Sequence, residues 1–247
     1  MSKPKLWFSY TLKPFDLKEE GFYNPKDFEW VDGVERNFES IQKEVLRFTE
    51  KGSLSPYFNK ALTNKNNSWN TDGIVHWGFF SKRNLAQLQH SWQAVKSIPG
   101  LVSFSISQLE PGTIIKPHRG DTNAIIRVHI PIKVPEGMPN CSFTVDGETR
   151  AWQEGKASLF NDPTVHHAQN LSQEKRIVLI LDVIRPEFIS QRYSICAQVL
   201  NGLKWQADTQ KNPAIRKWPM NLLKIRWAMI KLAYRIALRL NRMFVWT

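Results

Sequence analysis

The sequence predicts a mainly β core, a sandwich or small barrel, with helical segments before and after it. Three observations support this fold class. Residues 101–188 contain short stretches in which apolar and polar residues alternate, as in half-buried strands. Turn signals such as "EPG", "PEG", "DGE" and "QEG" separate these stretches. Many short strands with regular turns are typical of antiparallel sandwiches and barrels.

Residues 1–100 have a mixed pattern in which two segments predict helices. "VERNFESIQKEVLRF" and "NLAQLQHSWQAVKSI" carry apolar residues at the spacing of one helical face, and the second ends at the stop signal "PG". These residues are Val34, Phe38, Ile41, Val45 and Phe48 in the first segment, and Leu85, Leu88, Trp92 and Val95 in the second.

The strand candidates of the core begin with "LVSFSISQL", in which Val102, Phe104 and Ile106 share one face and three serines the other. In "AIIRVHIPIKV", Arg127 and His129 lie two residues apart. Because side chains alternate across a strand, we expect both to point into one cavity. "CSFTVDG", "KASLF" and "RIVLILDVI" are further strand candidates.

The net charge of +12 is concentrated in the C-terminal part of the chain. From Thr209 onward there are nine Lys or Arg residues and no Asp or Glu, which leaves +3 for the first 208 residues. This asymmetry indicates an anionic partner for the C-terminal segment. We expect residues 1–208 to form one domain, and residues 209–247 to form a basic helix that starts near Pro219.

The C-terminal helix is predicted to be amphipathic. At 100° per residue, four of its basic residues fall within about 60° of Lys224, and the other faces carry large apolar and aromatic residues. These four are Lys231, Arg235, Arg239 and Arg242. A basic stripe over a broad apolar face is typical of a helix that lies on an anionic membrane surface, here through residues 219–247. Alternatives are a helix that packs on the core or on another subunit, and a basic arm for nucleic acid. An arm that binds only phosphates would not need so many large apolar residues.

Compartment signals are few. The N-terminus has no apolar region of a signal peptide, and no stretch of eighteen uncharged apolar residues occurs. We therefore expect a cytoplasmic protein, peripheral on the inner face of the membrane. With two cysteines in 247 residues, we expect buried thiols and no disulfide.

Histidines stand at the ends of two strand candidates. His118 follows "PGTIIKP", and His166 and His167 precede the strand that Arg176 opens. Imidazole suits iron, and the planar guanidinium of Arg suits a carboxylate. Gly120 stands where an HxD iron motif has its carboxylate. The residues by themselves indicate a candidate metal site, with ordinary loop histidines as the alternative.

A series of segments resembles the aspartyl/asparaginyl β-hydroxylase family of Fe(II)- and 2-oxoglutarate-dependent oxygenases. In order, these are "FSISQLEPGTIIKPHRGDTN", "IIRVHIPI", "WQEGKASLFNDPTVHHAQN" and "RIVLILDVIRPEF", which cover about a third of the chain. The resemblance implies a double-stranded β-helix, a jelly-roll or cupin-like barrel, for residues 101–188. N-terminal helices and the C-terminal amphipathic helix would flank this barrel.

The resemblance also implies an unusual iron site with two histidines, no protein carboxylate, and Gly at the position of Gly120. His118 and His166 would bind and activate the iron, with water at the vacant position. The cosubstrate residues implied are Arg176 and Ser107 at the distal carboxylate of 2-oxoglutarate, with His129 and Arg127 beside it.

Two neighbours of these residues, Asp121 and His167, are alternative candidates for a metal ligand. The family commonly has Pro where this chain has Asp121, which stands three residues after His118 and is not expected to be a ligand. If the loop differs from the family pattern, Asp121 could still approach the metal. His167 is the alternative to His166 as ligand, and the family register favours His166.

The resemblance implies that Fe(II), 2-oxoglutarate and O2 are used to hydroxylate an unactivated C–H bond. Family members modify Asp or Asn side chains, and relatives modify fatty acyl chains of lipids. The basic helix favours a membrane-lipid acyl chain. Alternatives are an Asp- or Asn-type residue in a peptide, carrier-bound or free amino acid, and a non-catalytic cupin-like binding module.

Overall fold

The protein is described by a computed structural model that covers residues 5–11, 13–15, 19–52 and 54–240. Two antiparallel sheets face each other, and the prediction of a mainly β, jelly-roll fold is confirmed. The larger sheet has the order β1-β10-β7-β12-β5-β3-β2, with β4 paired to β3. Its strands are β1 Phe22–Tyr23, β2 Ser55–Pro56, β3 Trp69–His76, β4 Phe79–Phe80, β5 Leu101–Leu109, β7 Ile125–Lys133, β10 Ser158–Asn161 and β12 Arg176–Ile184.

The smaller sheet closes the other side of the barrel in the order β6-β11-β8-β9. Together the two sheets contain every strand candidate of residues 101–188, and β3 adds a strand from the N-terminal region. The strands of the smaller sheet are β6 Thr113–His118, β8 Cys141–Val145, β9 Glu148–Ala151 and β11 His166–Asn170.

Helices cover the outer face of the larger sheet. Phe104 and Ile106 point outward from β5 and are buried against side chains of the N-terminal helices. The spacing of apolar residues in the sequence predicted helices in this region. Each such buried side chain contributes about 1.5–3 kcal/mol to folding. The helices are α1 Trp30–Arg36, α2 Phe38–Glu50, α3 Lys82–Leu85 and α4 Gln89–Val95.

The inner face of the larger sheet meets the smaller sheet across the barrel interior. Leu109 and Val178 from the larger sheet pack with Phe143 and Ala168 from the smaller one. The serines of β5 alternate toward this interior, as their sequence pattern predicted. Polar side chains can therefore stand inside the barrel, while the outward core remains apolar.

Two long helices follow the barrel: α5 Arg192–Lys211 and α6 Met220–Leu240. α5 had no counterpart among the sequence predictions. It buries apolar side chains against Val102 and Phe188 at one end of the barrel. A short 3-10 segment, Pro213–Lys217, and Pro219 separate the two helices, because Pro cannot continue a helix. Residues 241–247 of the predicted C-terminal helix lie outside the described part.

α6 packs on α5 through one face only. Leu238 is buried, Asn201 Nδ2 donates to the Trp227 carbonyl at 2.9 Å, and Arg226 pairs with Asp208. The opposite face is exposed and apolar, and its six residues lie within an arc of about 80° on a 100° wheel. These six, the exposed stripe, are Leu222, Ile225, Met229, Leu232, Ile236 and Leu240, each between 48% and 74% exposed.

Basic residues line one side of the exposed stripe. They are Lys224, Lys231, Arg235 and Arg239, and no acidic residue occurs between Thr209 and Leu240. No helix in the described part of the chain combines the length and apolarity of a bilayer-crossing segment. Both cysteines are buried free thiols, as expected.

Candidate active site

Two histidines face each other at the edge of the smaller sheet. His118 ends β6 and His166 begins β11, and the two residues pair directly in register. Their ring centroids are 4.3 Å apart. The antiparallel pairing therefore brings together the two side chains that sequence analysis had selected 48 residues apart.

Each imidazole is oriented by the backbone of its own strand. His118 Nδ1 lies 2.9 Å from the carbonyl oxygen of Lys116, and His166 Nδ1 lies 2.8 Å from that of Thr164. A carbonyl oxygen only accepts, so both Nδ1 atoms must carry the proton. Both Nε2 atoms then keep a lone pair, which is the form that binds a metal ion.

The surroundings keep both rings neutral. Burial lowers the pKa of His118, and it lowers the pKa of His166 to well below the usual range. Phe160 stands 5.2 Å from the ring of His166, and Trp69 stands 6.4 Å from that of His118. Within the part of the chain that the structure describes, no group of three or more His, Cys, Asp or Glu could hold a metal.

A carboxylate from the opposite loop leaves no room for a side chain at Gly120. A Cβ atom added at this position would lie 1.8 Å from Asp162 Oδ2 and 1.9 Å from its Cγ. The backbone N–H of Gly120 donates to the Asp162 carbonyl at 2.8 Å, and that of Asp121 donates to Asp162 Oδ2 at 3.0 Å. Asp162 therefore occupies the space that the side chain of an HxD aspartate would need.

Arg176 is a buried cation that pairs with no anionic side chain of the described residues. It is 2% exposed, and its guanidinium lies 4.4 Å from the centroid of the Trp152 ring. No Asp or Glu among the described residues forms an ion pair with it, and its Nε has no hydrogen-bond partner there. Burial lowers its pKa to about 9. Because an unpaired buried charge is costly, this environment indicates a site for an anionic ligand.

Other unpaired polar atoms surround the same space. His129 Nδ1 and Trp152 Nε1 are buried, and neither finds a hydrogen-bond partner within the described ranges. Burial, followed by the nearby Arg176, lowers the pKa of His129 well below the usual range. Ser107 Oγ accepts from Trp69 Nε1 at 3.0 Å, so its own hydrogen is available to a ligand. Trp69, on β3, was not selected from sequence.

The strand register orders these residues along the barrel. His129 pairs with Ile180, and Arg127 pairs with Asp182. At about 3.3 Å per residue, Arg176 and Asp182 lie roughly 20 Å apart along β12. The interior thus has an Arg176 end and an Arg127 end, with His129 between them.

Arg127 differs from Arg176 because its charge is already matched. Its Nε and Nη2 bind the two carboxylate oxygens of Asp182 at 2.7 and 3.2 Å, and its Nη1 lies 2.6 Å from Asp162 Oδ1. Burial would lower its pKa, but the two carboxylates outweigh burial and raise it. Arg127 shares the interior with His129, as alternation predicted, but it is not a free cation.

Three further residues stand near the Arg127 end. Tyr57 stacks on Trp69 with ring centroids 3.9 Å apart, and burial and the nearby Asp121 raise its pKa. The half-buried Asp121 has a pKa raised by burial to about 6. His167 follows His166 along β11, so its side chain points to the opposite face. Asp162 and Tyr57 were not selected from sequence, and the only local signal for Asp162 was its position four residues before His166.

Comparison with known proteins gives consistent matches. A family model described as Aspartyl/Asparaginyl beta-hydroxylase matches residues 35–186. A Rhizobium tropici protein named "Ornithine lipid ester-linked acyl 2-hydroxylase" is 31% identical over 183 residues, which are 72% of this chain and 65% of the relative. A human protein named "Aspartyl/asparaginyl beta-hydroxylase" is 25% identical over 186 residues, which are 71% of this chain and 24% of the relative.

A rat protein named "Aspartate beta-hydroxylase domain-containing protein 2" is 30% identical over 177 residues, 66% of this chain and 51% of the relative. The chain thus spans about two thirds or less of the length of these relatives. Among solved structures, a Pseudomonas putida prolyl-4-hydroxylase has a TM-score of 0.40 and 16% identity, covering 62% of this chain and 87% of its own.

The contact between Gly120 and Asp162 predicts a steric cost. Gly120→Ala should destabilise the protein by about 1–3 kcal/mol, because the new methyl group overlaps a buried carboxylate held by Arg127. Gly137→Ala is the matched control, since a Cβ there meets nothing within 4 Å. Chemical denaturation of both variants measures the difference. Equal stabilities would show that Asp162 does not occupy this space.

Proposed function

Since this chain belongs to the aspartyl/asparaginyl β-hydroxylase family, we propose that it uses Fe(II), 2-oxoglutarate and O2 to hydroxylate an acyl chain of a membrane lipid. The match to the family model agrees with the resemblance that the sequence motifs of this chain indicated. One observation carries the proposal: two neutral imidazoles with free Nε2 atoms share a barrel interior with a buried, unpaired Arg.

His118 and His166 would hold the iron through Nε2. When bound, iron and cosubstrate supply the oxidising chemistry: O2 is reduced, 2-oxoglutarate becomes succinate and CO2, and one oxygen atom enters a C–H bond. The protein fixes both rings with backbone carbonyls, so little reorganisation is needed on metal binding. Asp162 leaves no room for a side chain at Gly120, so residue 120 would contribute no ligand to the metal.

Arg176 would bind the distal carboxylate of 2-oxoglutarate. Its planar guanidinium can donate two parallel hydrogen bonds, and the hydroxyl of Ser107 can donate a third. The donor atoms of His129 and Trp152 that lack partners lie in the same interior. A dicarboxylate fits this set because its charge offsets the buried guanidinium and its oxygens satisfy the free donors.

The exposed stripe of α6 supports a membrane-lipid substrate. Six large apolar side chains face away from the protein with basic residues along one side and no acidic residue within α6 itself. Each basic residue near an anionic surface contributes about 1 kcal/mol to binding, and each inserted apolar side chain adds to this. The R. tropici relative is named for an action on lipid acyl chains, which agrees with this choice.

The N-terminal segment joins α6 to the histidine site. Tyr10 lies 4.6 Å from the ring of Trp227 on α6 and donates to Gln198 of α5 at 2.9 Å. Just before it, Phe8 bridges to Thr122, and Ser9 N donates to the Asp121 carbonyl at 3.0 Å. These contacts put α6 beside the loop that follows His118.

A second candidate is β-hydroxylation of an Asp- or Asn-type residue, in a peptide, a carrier-bound amino acid or a free one, which the name of the human relative favours. Under either candidate the metal and cosubstrate residues have the same roles. A non-catalytic cupin-like binding module would lack succinate formation, which separates it from both.

Loss of either iron ligand should abolish turnover. His118→Ala and His166→Ala should each reduce Fe(II)-dependent succinate formation to background, because a two-histidine site has no spare ligand. His167→Ala is the control and should keep most of the activity. Removal of metal by a chelator should have the same effect as the ligand variants, and added Fe(II) should reverse it only in the parent protein. Full activity in His166→Ala would contradict the ligand assignment.

Arg176 should govern affinity for the cosubstrate. Arg176→Ala should weaken 2-oxoglutarate binding on the order of 30-fold or more, since loss of a charge-assisted bidentate contact costs on the order of 2–5 kcal/mol. Arg176→Lys should restore binding only partly, because an ammonium lacks the fork geometry. Calorimetry with the metal-loaded protein measures the affinity. The exposed Arg83→Ala is the control, and an unchanged affinity in Arg176→Ala would remove this residue from the site.

Membrane binding should depend on the exposed stripe. Ile225→Glu with Ile236→Glu should lower the fraction that floats with phosphatidylglycerol vesicles at least tenfold, because two charges replace inserted side chains. Met138→Glu with Leu171→Glu, at two exposed positions away from α6, is the control for the same change of two charges. High salt should weaken binding only in part, since screening does not affect the apolar contact. If the parent chain does not float with these vesicles, the lipid proposal fails.

A further inference from the structure

We propose that Arg127, Asp182 and Asp162 form a charge filter at the substrate end of the barrel, which rejects a carboxylate beside the reacting carbon. This inference rests on the proposed function and narrows its substrate class: the group that enters next to the metal is uncharged. The two arginines of the interior differ in whether their charge is already paired.

Arg176 and Arg127 stand at opposite ends of the same inner face, and only one is available to an anion. Arg176 meets no carboxylate of the described residues. Arg127 uses Nε, Nη1 and Nη2 on Asp182 and Asp162, all at 2.6 to 3.2 Å. Apart from a carboxylate held by the metal itself, the interior therefore offers one side-chain cation to a carboxylate, at the Arg176 end, and the distal carboxylate of 2-oxoglutarate would occupy it.

Asp121 makes the Arg127 end more acidic still. It lies on the loop after His118, and its carboxylate forms no hydrogen bond or ion pair with any described residue. One guanidinium then stands among three carboxyl groups. Burial raises the pKa of Asp121 to about 6 and that of Asp162 to about 7, so the cluster reaches its formal charge of −2 above pH 7. In a partly dehydrated site, like charges a few ångströms apart repel strongly. An incoming carboxylate would meet this repulsion with no unpaired Arg or Lys among the described residues of the interior to compensate it, once 2-oxoglutarate has taken its place on the metal.

The rest of this end suits an apolar chain. Tyr57 stacks on Trp69, and Phe160 packs against His166, so aromatic surfaces stand next to the histidine pair. An acyl methylene can contact these rings without losing a hydrogen bond to water. The aspartate side chain of a peptide would place its carboxylate one carbon from the reacting position, within the filter.

The test uses two probes of the same shape, octanoate and octanamide, which differ by one charge. The full chain is saturated with 2-oxoglutarate and Zn(II), which has no redox chemistry, so that the Arg176 end is filled and turnover is prevented. Tryptophan fluorescence reports binding. Octanamide should bind to the parent protein at least tenfold more tightly than octanoate.

Substitutions then identify the source of the preference. Asp182→Asn and Asp121→Asn should each reduce the octanamide-to-octanoate preference at least threefold, because each removes one negative charge of the filter. Asp146→Asn, in the exposed turn after β8, is the control and should leave the preference unchanged. Asp121→Asn does not remove a contact of Arg127, so it remains informative if Asp182→Asn fails to fold.

Three results would overturn the inference: equal binding of the two probes, a preference that survives both Asp substitutions, or no binding of octanamide. The binding ratio is measured without turnover. An absence of Fe(II)-dependent succinate formation would instead refute the proposed function, so the two failures can be told apart.

Discussion

The site depends on the packing of the Asp162 carboxylate against the backbone of Gly120. That contact excludes a side chain at the position where an HxD iron motif carries its carboxylate. The buried charge of Asp162 needs a partner, and Arg127 supplies it at 2.6 Å. The same carboxylate accepts the N–H of Asp121, so it also fixes the loop that leaves His118. One buried carboxylate thus accounts for the need for Gly at position 120, the pairing of Arg127 and the course of the loop.

Because the strands pair in antiparallel register, the two ends of the barrel interior carry different charges. The inward positions of β12 run from Arg176 to Asp182, and β7 places His129 and Arg127 beside them. One end therefore has a cation without an anion, and the other has more carboxylates than cations. A dicarboxylate cosubstrate and an uncharged substrate would each find the end that suits it. The outer face of the sheet is apolar and packs under helices, which holds this register in place.

Sequence reasoning was most accurate where local pattern decides structure. Alternation predicted the strands of the barrel and the shared direction of Arg127 and His129, and helical spacing predicted α2. It missed Asp162 and Tyr57, because their roles come from contacts with Gly120 and Trp69 that are distant in sequence. α5 was missed because it is buried on several sides, between the barrel and α6, and lacks one apolar face. The family motif identified the histidines, but the pairing of Arg127 with two carboxylates required coordinates.

The most direct test is a crystal structure of the full chain prepared without oxygen in the presence of Fe(II) and 2-oxoglutarate. The account predicts iron bonded to Nε2 of His118 and His166 with no protein carboxylate, and the distal carboxylate of the cosubstrate on Arg176. A bond from iron to Asp121, Asp162 or His167, or a cosubstrate whose distal carboxylate lies on Arg127, would contradict it.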